Sequence, residues 1–434
     1  MTRHGVCVAL MAISALPLKS QDVSSLMRQA DSAFEAESRA LAQQLYRRVL
    51  ALDAEQSRAV YRLGVLASSD EDALMWFGRY AALERGDAWG WVAVGDRSLR
   101  LGRTVEARDA YQRAATLEPK AKDVQQRLAK ARLRAAPVVE PLAGYARDSD
   151  GGYTAKVGAS GDVALHGGWR VGGRMLRSAL GDAVDDATMD EAVLRLEGRP
   201  RAAWRVDLSG GPARLAPSPD DSWLTIVGDA RARWRAKGAA AELRFRRFAL
   251  GTIPQLVARR AVQNEGKLGV EIPAGLLRLR AAQRVAVINV TGEEGNRRLQ
   301  ADAIVALPRG WRGEISAQYH RIGYDHASAA GYFAPAQVET IEGGTYWDLG
   351  GDGLVSVSID LGAGVQRIAL QGAAVGQWKP ALRGWASLSV DLSRTFQWRA
   401  EVEAYSAPFA PVGASPSPDW RYGALNMGLQ LRLP

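Results

Sequence analysis

Segments in which apolar and polar residues alternate fill residues 137–434, and they limit the folds open to this chain more than any other feature. One of the clearest is the C-terminal segment, from Leu425 to Leu433. A period of two indicates β-strands with one apolar and one polar face. The alternating segments run to about ten residues, which matches a tilted membrane-spanning strand better than a strand of a soluble sheet.

Charge and tryptophan placement favour a transmembrane barrel over a two-layer soluble sandwich, which is the alternative. Residues 140–434 hold 35 Lys and Arg, 31 of them Arg, against 31 Asp and Glu, as expected of a water-filled interior. Ten of the 13 Trp lie in this part, several near predicted strand ends where an interfacial girdle would place them: Trp311, Trp378, Trp385 and Trp420. Its length predicts an antiparallel β-barrel of about 16 strands, with a range of roughly 14 to 18.

The first 20 residues are typical of an export signal. Arg3 and His4 precede an apolar stretch from Gly5 to Leu18, and Lys19 begins a polar exit. We place cleavage near Ser20, and an uncleaved N-terminal helix is the alternative. The single cysteine lies in this segment, so no disulfide or cysteine-based site is predicted beyond it.

Residues 21–136 carry an internal repeat of helical hairpins. Residues 88–121 match a tetratricopeptide repeat at the positions that define it: Trp91, Gly95, Ala107, Tyr111, Ala114 and Pro119. Small residues let two helices approach, aromatic residues fill the space between them, and proline stops the second helix. Residues 57–87 and 23–56 give weaker copies, and a polar helix over Lys122–Arg134 is predicted to cap the array. Such arrays bind partners in a concave groove; a short rigid spacer is the alternative.

Two motifs carry a resemblance to a known family. An acidic-serine turn at Asp148–Gly151 separates the first two predicted strands, and residues 331–335 read GYFAP. With the order of signal, repeats and barrel, these segments resemble the C-terminal barrel of the C subunit of bacterial cellulose synthase, poly-N-acetylglucosamine export porins and YaiO-type barrels. The resemblance implies a Gram-negative outer membrane protein with periplasmic repeats. The cellulose and poly-N-acetylglucosamine exporters have far more repeats than the three readable here.

The predicted architecture is therefore an α+β multidomain chain with three parts: a signal peptide at 1–20, about three tetratricopeptide repeats with a capping helix at 21–136, and an outer membrane β-barrel at 137–434. The resemblance implies a porin-like protein that exports an exopolysaccharide while its repeats dock periplasmic proteins. The alternative is a YaiO-like structural protein whose barrel anchors a docking module without a dedicated polymer. Outer membrane lipid, a polysaccharide chain and periplasmic proteins are the expected partners; the dispersed charge predicts no nucleic-acid surface.

Seven arginines face the predicted lumen if the apolar side chains face lipid: Arg231, Arg233, Arg235, Arg244, Arg246, Arg278 and Arg280. Guanidinium groups donate several coplanar hydrogen bonds to hydroxyls and carboxylates, so this wall would favour an anionic or acetylated sugar chain. The alternative is a wet interior in which arginines pair with carboxylates and confer no selectivity, with these candidate partners: Asp207, Asp229, Glu271, Asp302 and Glu401.

The loop that contains Tyr332 and Phe333 lies between predicted strands. Its aromatic rings are predicted either to fold over the mouth and stack on sugar rings or to anchor at the membrane interface. The histidines of the barrel region lack metal-ligand spacing, and no dinucleotide- or phosphate-binding loop occurs. We therefore expect no catalytic residue, no metal, no cofactor and no enzymatic activity.

Overall fold

The computed structural model describes residues 23–310, 312–350, 354–406 and 420–434. The predicted signal peptide and Trp311 lie outside the described residues. The described chain divides into two compact units, one that ends at Arg97 and one that begins at Ser98. No helix among the described residues is long and apolar enough to cross a membrane.

Helices fill the described residues before the first strand: α1 (Val23–Glu35), α2 (Arg39–Leu52), α3 (Ser57–Leu66), α4 (Asp70–Leu83), α5 (Ala88–Arg100), α6 (Thr104–Leu117) and α7 (Lys122–Ala135). Helix α4 begins at a side-chain cap: the Ser69 hydroxyl accepts a hydrogen bond from the Asp72 N–H at 3.1 Å. Helix α7 coincides with the predicted cap. The helical part of the prediction is thus present, and its assignment to tetratricopeptide repeats stays a prediction.

The first unit has an apolar core between successive helices, which includes Leu26, Tyr46 and Leu63. A Cβ at Gly64 would lie 2.8 Å from the Phe77 ring, so glycine there allows α3 and α4 to approach closely. The buried Tyr46 hydroxyl donates a hydrogen bond to Asp31 at 2.7 Å. Burial raises the pKa of Tyr46, and the Asp31 carboxylate raises it further.

The second unit contains a closed antiparallel barrel, and its described residues form the 16 strands that the sequence predicts. The strands are β1 (Val138–Asp148), β2 (Tyr153–Ala164), β3 (Trp169–Gly181), β4 (Asp186–Arg201), β5 (Trp204–Ser218), β6 (Asp221–Ala236), β7 (Ala239–Ala249), β8 (Val262–Ala274), β9 (Leu277–Asn289), β10 (Asn296–Arg309), β11 (Gly313–Tyr324), β12 (Gln337–Asp348), β13 (Val355–Ala369), β14 (Lys379–Asp391), β15 (Phe396–Ser406) and β16 (Arg421–Arg432). Each strand pairs with its sequence neighbour, and β1 pairs with β16 to close the cylinder.

The two ends of the barrel differ in their connections. We call the end where β1 begins the proximal end and the other the distal end. Short connections join the strands proximally, among them a 3₁₀ turn at His166–Gly168. Distally, the acidic-serine turn joins β1 to β2, and two longer loops lie at 250–261, which contains helix α8 (Pro254–Ala258), and at 325–336.

Most outward positions of the barrel are apolar, because side chains alternate between the two faces of each strand. Large exposed residues such as Leu194, Leu224 and Leu243 point outward, whereas the charged residues between them point inward. Near the proximal end, outward positions carry a series of aromatic residues: Trp169, Trp204, Trp234, Trp347 and Trp398. The outer surface thus has the apolar band and aromatic girdle typical of a membrane-spanning barrel.

Two of the tryptophans predicted for the girdle lie elsewhere. Trp385 points into the lumen, where its indole N–H donates to Glu401. Trp420 is buried and stacks on Tyr422, with ring centroids 5.7 Å apart. Trp378 is exposed near the distal end, with the Arg367 guanidinium 4.8 Å from its ring centroid. The prediction for these two residues was wrong because Trp385 lies in the middle of β14 on its inward face, and Trp420 is buried beside the start of β16.

Candidate functional site

The barrel interior contains a charged cavity of about 1230 Å³. It extends from the proximal turns at Ala202–Ala203 and Gly310 to mid-barrel residues such as His320 and Arg383. Five of the seven predicted lumen arginines line it: Arg231, Arg233, Arg235, Arg278 and Arg280. Arg244 and Arg246 lie further along β7, on the same inward face.

Most of these arginines form ion pairs across neighbouring strands. Arg231 pairs with Glu242 and Arg233 with Asp207. Arg244 donates to Asp229 at 2.9 Å. The pairs arise because the register of β5, β6 and β7 sets acidic and basic inward positions beside one another.

Arg280 makes the most extensive contacts of the predicted set. Its guanidinium donates to Glu314 through two nitrogens, at 2.6 and 2.7 Å, and to Glu271 at 3.0 Å. Bidentate arginine–carboxylate contacts are strong and geometrically specific. Arg278 is on the same strand as Arg280, near the proximal end of β9, and lies 3.9 Å from Glu271 on β8. The wall therefore presents alternating donors and acceptors rather than a uniformly positive surface.

The sequence indicated arginine–carboxylate pairing, but not the deepest network. Asp302 accepts from His320 at 2.8 Å, and Glu342 accepts from Arg383 at 2.7 Å, with Asp360 on the other side of the same guanidinium. These residues come from strands β10 to β14, so only strand register brings them together. A second group of three charged residues joins Glu265, whose side chain is 2% exposed, to Arg246 and Arg298 at 2.5 and 2.6 Å.

The loop at 250–261 folds into the distal end of the barrel. Val257 packs against inward-facing residues of β3 to β6, among them Leu180 and Leu215. Leu256 packs on the other side, against Ile288 and Tyr332. Residues of one short helix thus belong to apolar clusters with inward faces of β3 to β6 on one side and of β9 and β11 on the other, so this loop covers the distal lumen along that part of the wall. We call residues 250–261 the plug loop.

Hydrogen bonds tie the plug loop to the distal turns. The Trp223 indole N–H donates to the Val257 carbonyl at 2.9 Å, and the Gln255 amide donates to Asp182 at 2.9 Å. Burial alone would raise the pKa of the Asp182 carboxyl, but hydrogen bonds from the Asp185 N–H, the Gln255 amide and the Val184 N–H outweigh it and lower that pKa. Asp182 therefore remains an ionised acceptor for the plug loop.

The second distal loop places its two aromatic residues differently. Tyr332 is only 3% exposed, and its hydroxyl accepts a hydrogen bond from the Asn296 amide at 3.0 Å. Its ring lies 6.3 Å from that of Tyr324 and is not open to a sugar, which corrects the expectation of an accessible stacking face. Phe333 is half-buried, and sugar stacking by that residue stays a prediction.

The repeat-defining residues fall on or next to helices α5 and α6. Ala107, Tyr111 and Ala114 form the buried face of α6, Gly95 is buried in α5 and Trp91 is half-buried. Pro119 follows the C-cap of α6 at Glu118. Helix α6 also contacts the proximal turn of the barrel: the Gly167 N–H donates to Glu106 at 2.5 Å, and His166 lies 3.5 Å from Asp109.

Comparisons with known proteins give distant structural similarity. No protein-family model matches the sequence, and a search of curated proteins finds no relative. A bacterial polysaccharide outer membrane secretin is 10% identical, with a TM-score of 0.49, over 69% of this chain and 99% of that one. CdiB from Acinetobacter baumannii is 9% identical, with a TM-score of 0.39, over 68% and 60%. The Arabidopsis OM64 TPR domain is 14% identical, with a TM-score of 0.23, over 25% and 93%.

Proposed function

We propose that this chain is an outer membrane barrel that exports an exopolysaccharide, with its helices docking periplasmic proteins. The observation that carries the proposal is the closed barrel with an apolar outer wall and a charged cavity that reaches the proximal turns. Outer wall and lumen have the polarity expected of a bilayer-spanning channel. Export requires no bond making or breaking, so we propose no enzymatic activity.

The chemistry of the lumen suits a polyhydroxylated chain. Guanidinium groups such as Arg280 offer donors, and carboxylates such as Glu271 and Glu314 offer acceptors, on the same wall. Each sugar hydroxyl can donate and accept, so it can bond to either kind of group. A wall of exchangeable partners lets a polymer move past without one dominant binding site.

The proposed orientation puts the proximal end in the periplasm. Helix α7 leads directly into β1 on that side of the barrel, and the last strand, β16, also ends there. Helix α6 contacts the proximal turn through Glu106, so helices near the periplasmic mouth could hold a partner beside the lumen entrance. The longer loops would then face the cell exterior, as in other outer membrane barrels.

The plug loop favours a second candidate function. A barrel whose distal end is partly covered by packed apolar residues could serve only as an anchor for a docking module. The two functions differ in one respect: an exporter must open distally, whereas an anchor need not. In the YaiO-like alternative, deletion of the plug loop would therefore leave polymer secretion unchanged.

Secretion of polymer by a deletion strain tests the proposal. We expect the strain to lose polysaccharide from the medium and to retain it in the periplasm, and the wild-type gene to restore secretion. In the deletion strain, a variant with Arg280→Gln and Glu314→Gln should assemble as a barrel but export less polymer than the wild type. Normal secretion in the deletion strain would refute the export function while leaving the membrane placement open to separate fractionation.

A further inference from the structure

The outer wall of the barrel differs in charge between its two ends. Near the distal end, eight arginines occupy outward positions of the described strands: Arg147, Arg177, Arg214, Arg247, Arg297, Arg321, Arg367 and Arg421. Three carboxylates share that level: Asp186, Asp190 and Glu339. Near the proximal end, outward positions of the described strands are uncharged apart from Arg201 and Arg309, the last residues of β4 and β10. The distal outer wall is thus positive and the proximal one is nearly neutral.

On strands β3 to β7 the positive charge of the distal outer wall is only partly compensated. Arg177 and Arg214 flank Asp190, which pairs in register with both of them. Arg177 lies 3.7 Å from Asp190, whereas Arg214 is exposed and has no ion pair within the described part of the chain. With strands spaced about 4.8 Å apart, the two arginine backbones lie about 10 Å from each other. Further round, Arg247 donates to the Ile226 carbonyl and to Asn264 at 2.9 Å. We call Arg177, Arg214 and Arg247 the distal arginine cluster.

Exposed apolar side chains border this cluster. Met175, Leu194, Leu224 and Ile226 point outward and are between 63% and 74% exposed. By contrast, Arg297 and Arg367 form ion pairs with Asp325 and Glu339, and Arg321 donates a hydrogen bond to the uncharged Gln337 amide. A ligand for the cluster must therefore carry negative charge directly beside hydrocarbon.

We propose that the distal arginine cluster binds the phosphate groups of a glycolipid in the outer leaflet of the membrane, an inference that rests on the proposed membrane placement. Phosphate oxygens accept the planar, paired hydrogen bonds that guanidinium donates, while acyl chains cover the adjacent leucine and methionine side chains. Such contacts are strong because the outer wall excludes water on the membrane side. The nearly neutral, tryptophan-rich proximal wall fits a leaflet whose lipids do not need arginine to bind their phosphate groups.

Lipid binding by the full-length protein in detergent tests the inference. The ligands are diphosphorylated lipid A, the same lipid with both phosphates removed, and inorganic phosphate. The variant combines Arg177→Gln, Arg214→Gln and Arg247→Gln. Its matched control removes the same charge proximally, through Arg201→Gln, Lys237→Gln and Arg309→Gln. Heat-modifiable gel mobility verifies that each barrel is folded.

The wild type and the proximal control should bind diphosphorylated lipid A equally. The distal variant should bind it about 100-fold more weakly, since each of the three arginines near an anionic surface contributes about fivefold. Equal binding by the distal variant, equal binding of the phosphate-free lipid, or full competition by inorganic phosphate would each overturn the inference. A folded barrel that fails to fractionate with the outer membrane would instead overturn the proposed placement.

Discussion

The packing of the plug loop predicts that a single truncation opens the lumen. Leu256 is fully buried in an apolar cluster that includes Ile288 on β9 and Tyr332 in the second distal loop. Replacing it with alanine removes those contacts and leaves a cavity, which costs about 2–5 kcal/mol at buried leucines. In the open state the loop is out of the lumen and Leu256 does not make these contacts, so the substitution does not destabilise that state.

The stability change therefore acts on the balance between the two states. A loss of about 3 kcal/mol from the plugged state raises the ratio of open to plugged channels by about 150-fold. Single-channel recordings in planar bilayers measure this ratio as the fraction of time spent in the conducting state. Channels of the Leu256→Ala variant should open often, whereas wild-type channels should open rarely.

A matched substitution isolates the effect of the buried position. Leu276, in the proximal turn between β8 and β9, is 85% exposed, so Leu276→Ala should conduct like wild type. Heat-modifiable gel mobility checks that both variants keep a folded barrel. If Leu256→Ala and wild type show the same open fraction, the plug loop does not control the lumen and the reasoning fails.

Three further predictions concern charge, stability and packing. Arg231→Ala with Arg233→Ala and Arg235→Ala removes the cations that pair with Glu242 and Asp207 and a third cation that lines the cavity, so reversal potentials should shift toward cations by about twofold or more at low salt; unchanged selectivity would contradict this. Burial raises the pKa of Tyr46 and Tyr80 above 10.0, so their neutral forms stabilise the helices below pH 10.0 and that stability falls as pH rises above it; circular dichroism should show this, and Tyr46→Phe should reduce the slope. A Cβ at Gly198 would collide with the Trp169 ring, so Gly198→Val should lower the melting temperature, while Gly266→Val, with open space, should not.

The strands could be predicted from the sequence because apolar and polar residues alternate along each of them. The alternation breaks down near the distal end, where Leu180 and Leu215 point inward, but the predicted strand number agrees with the structure. The helix over Lys122–Arg134 could also be predicted from the sequence, and it coincides with α7. Local patterns therefore carried the architecture.

The interior could not be predicted at the same level. The pairing of Arg280 with Glu314 or of Arg383 with Glu342 depends on the register of strands far apart in sequence. The plug loop reads as an ordinary connection, because a short run around Pro254 carries no periodicity. Burial of Tyr332 follows from that loop and was hidden for the same reason. One signal for this loop was present in the sequence. Leu256 and Val257 are adjacent apolar residues in a connection between two charged strands, and such residues are expected to be buried.

The opposite orientation of alternate residues along one strand is the most direct test of the barrel in its membrane. Single cysteines placed in a Cys7→Ser background along β6, at Leu224, Thr225, Ile226 and Asp229, can be labelled with a fluorophore in native outer membranes. Labels at Leu224 and Ile226 should be quenched from the lipid phase, and labels at Thr225 and Asp229 from water. Protection of the leucine and isoleucine positions from both quenchers would show that they pack inside protein, and it would contradict the membrane-spanning barrel.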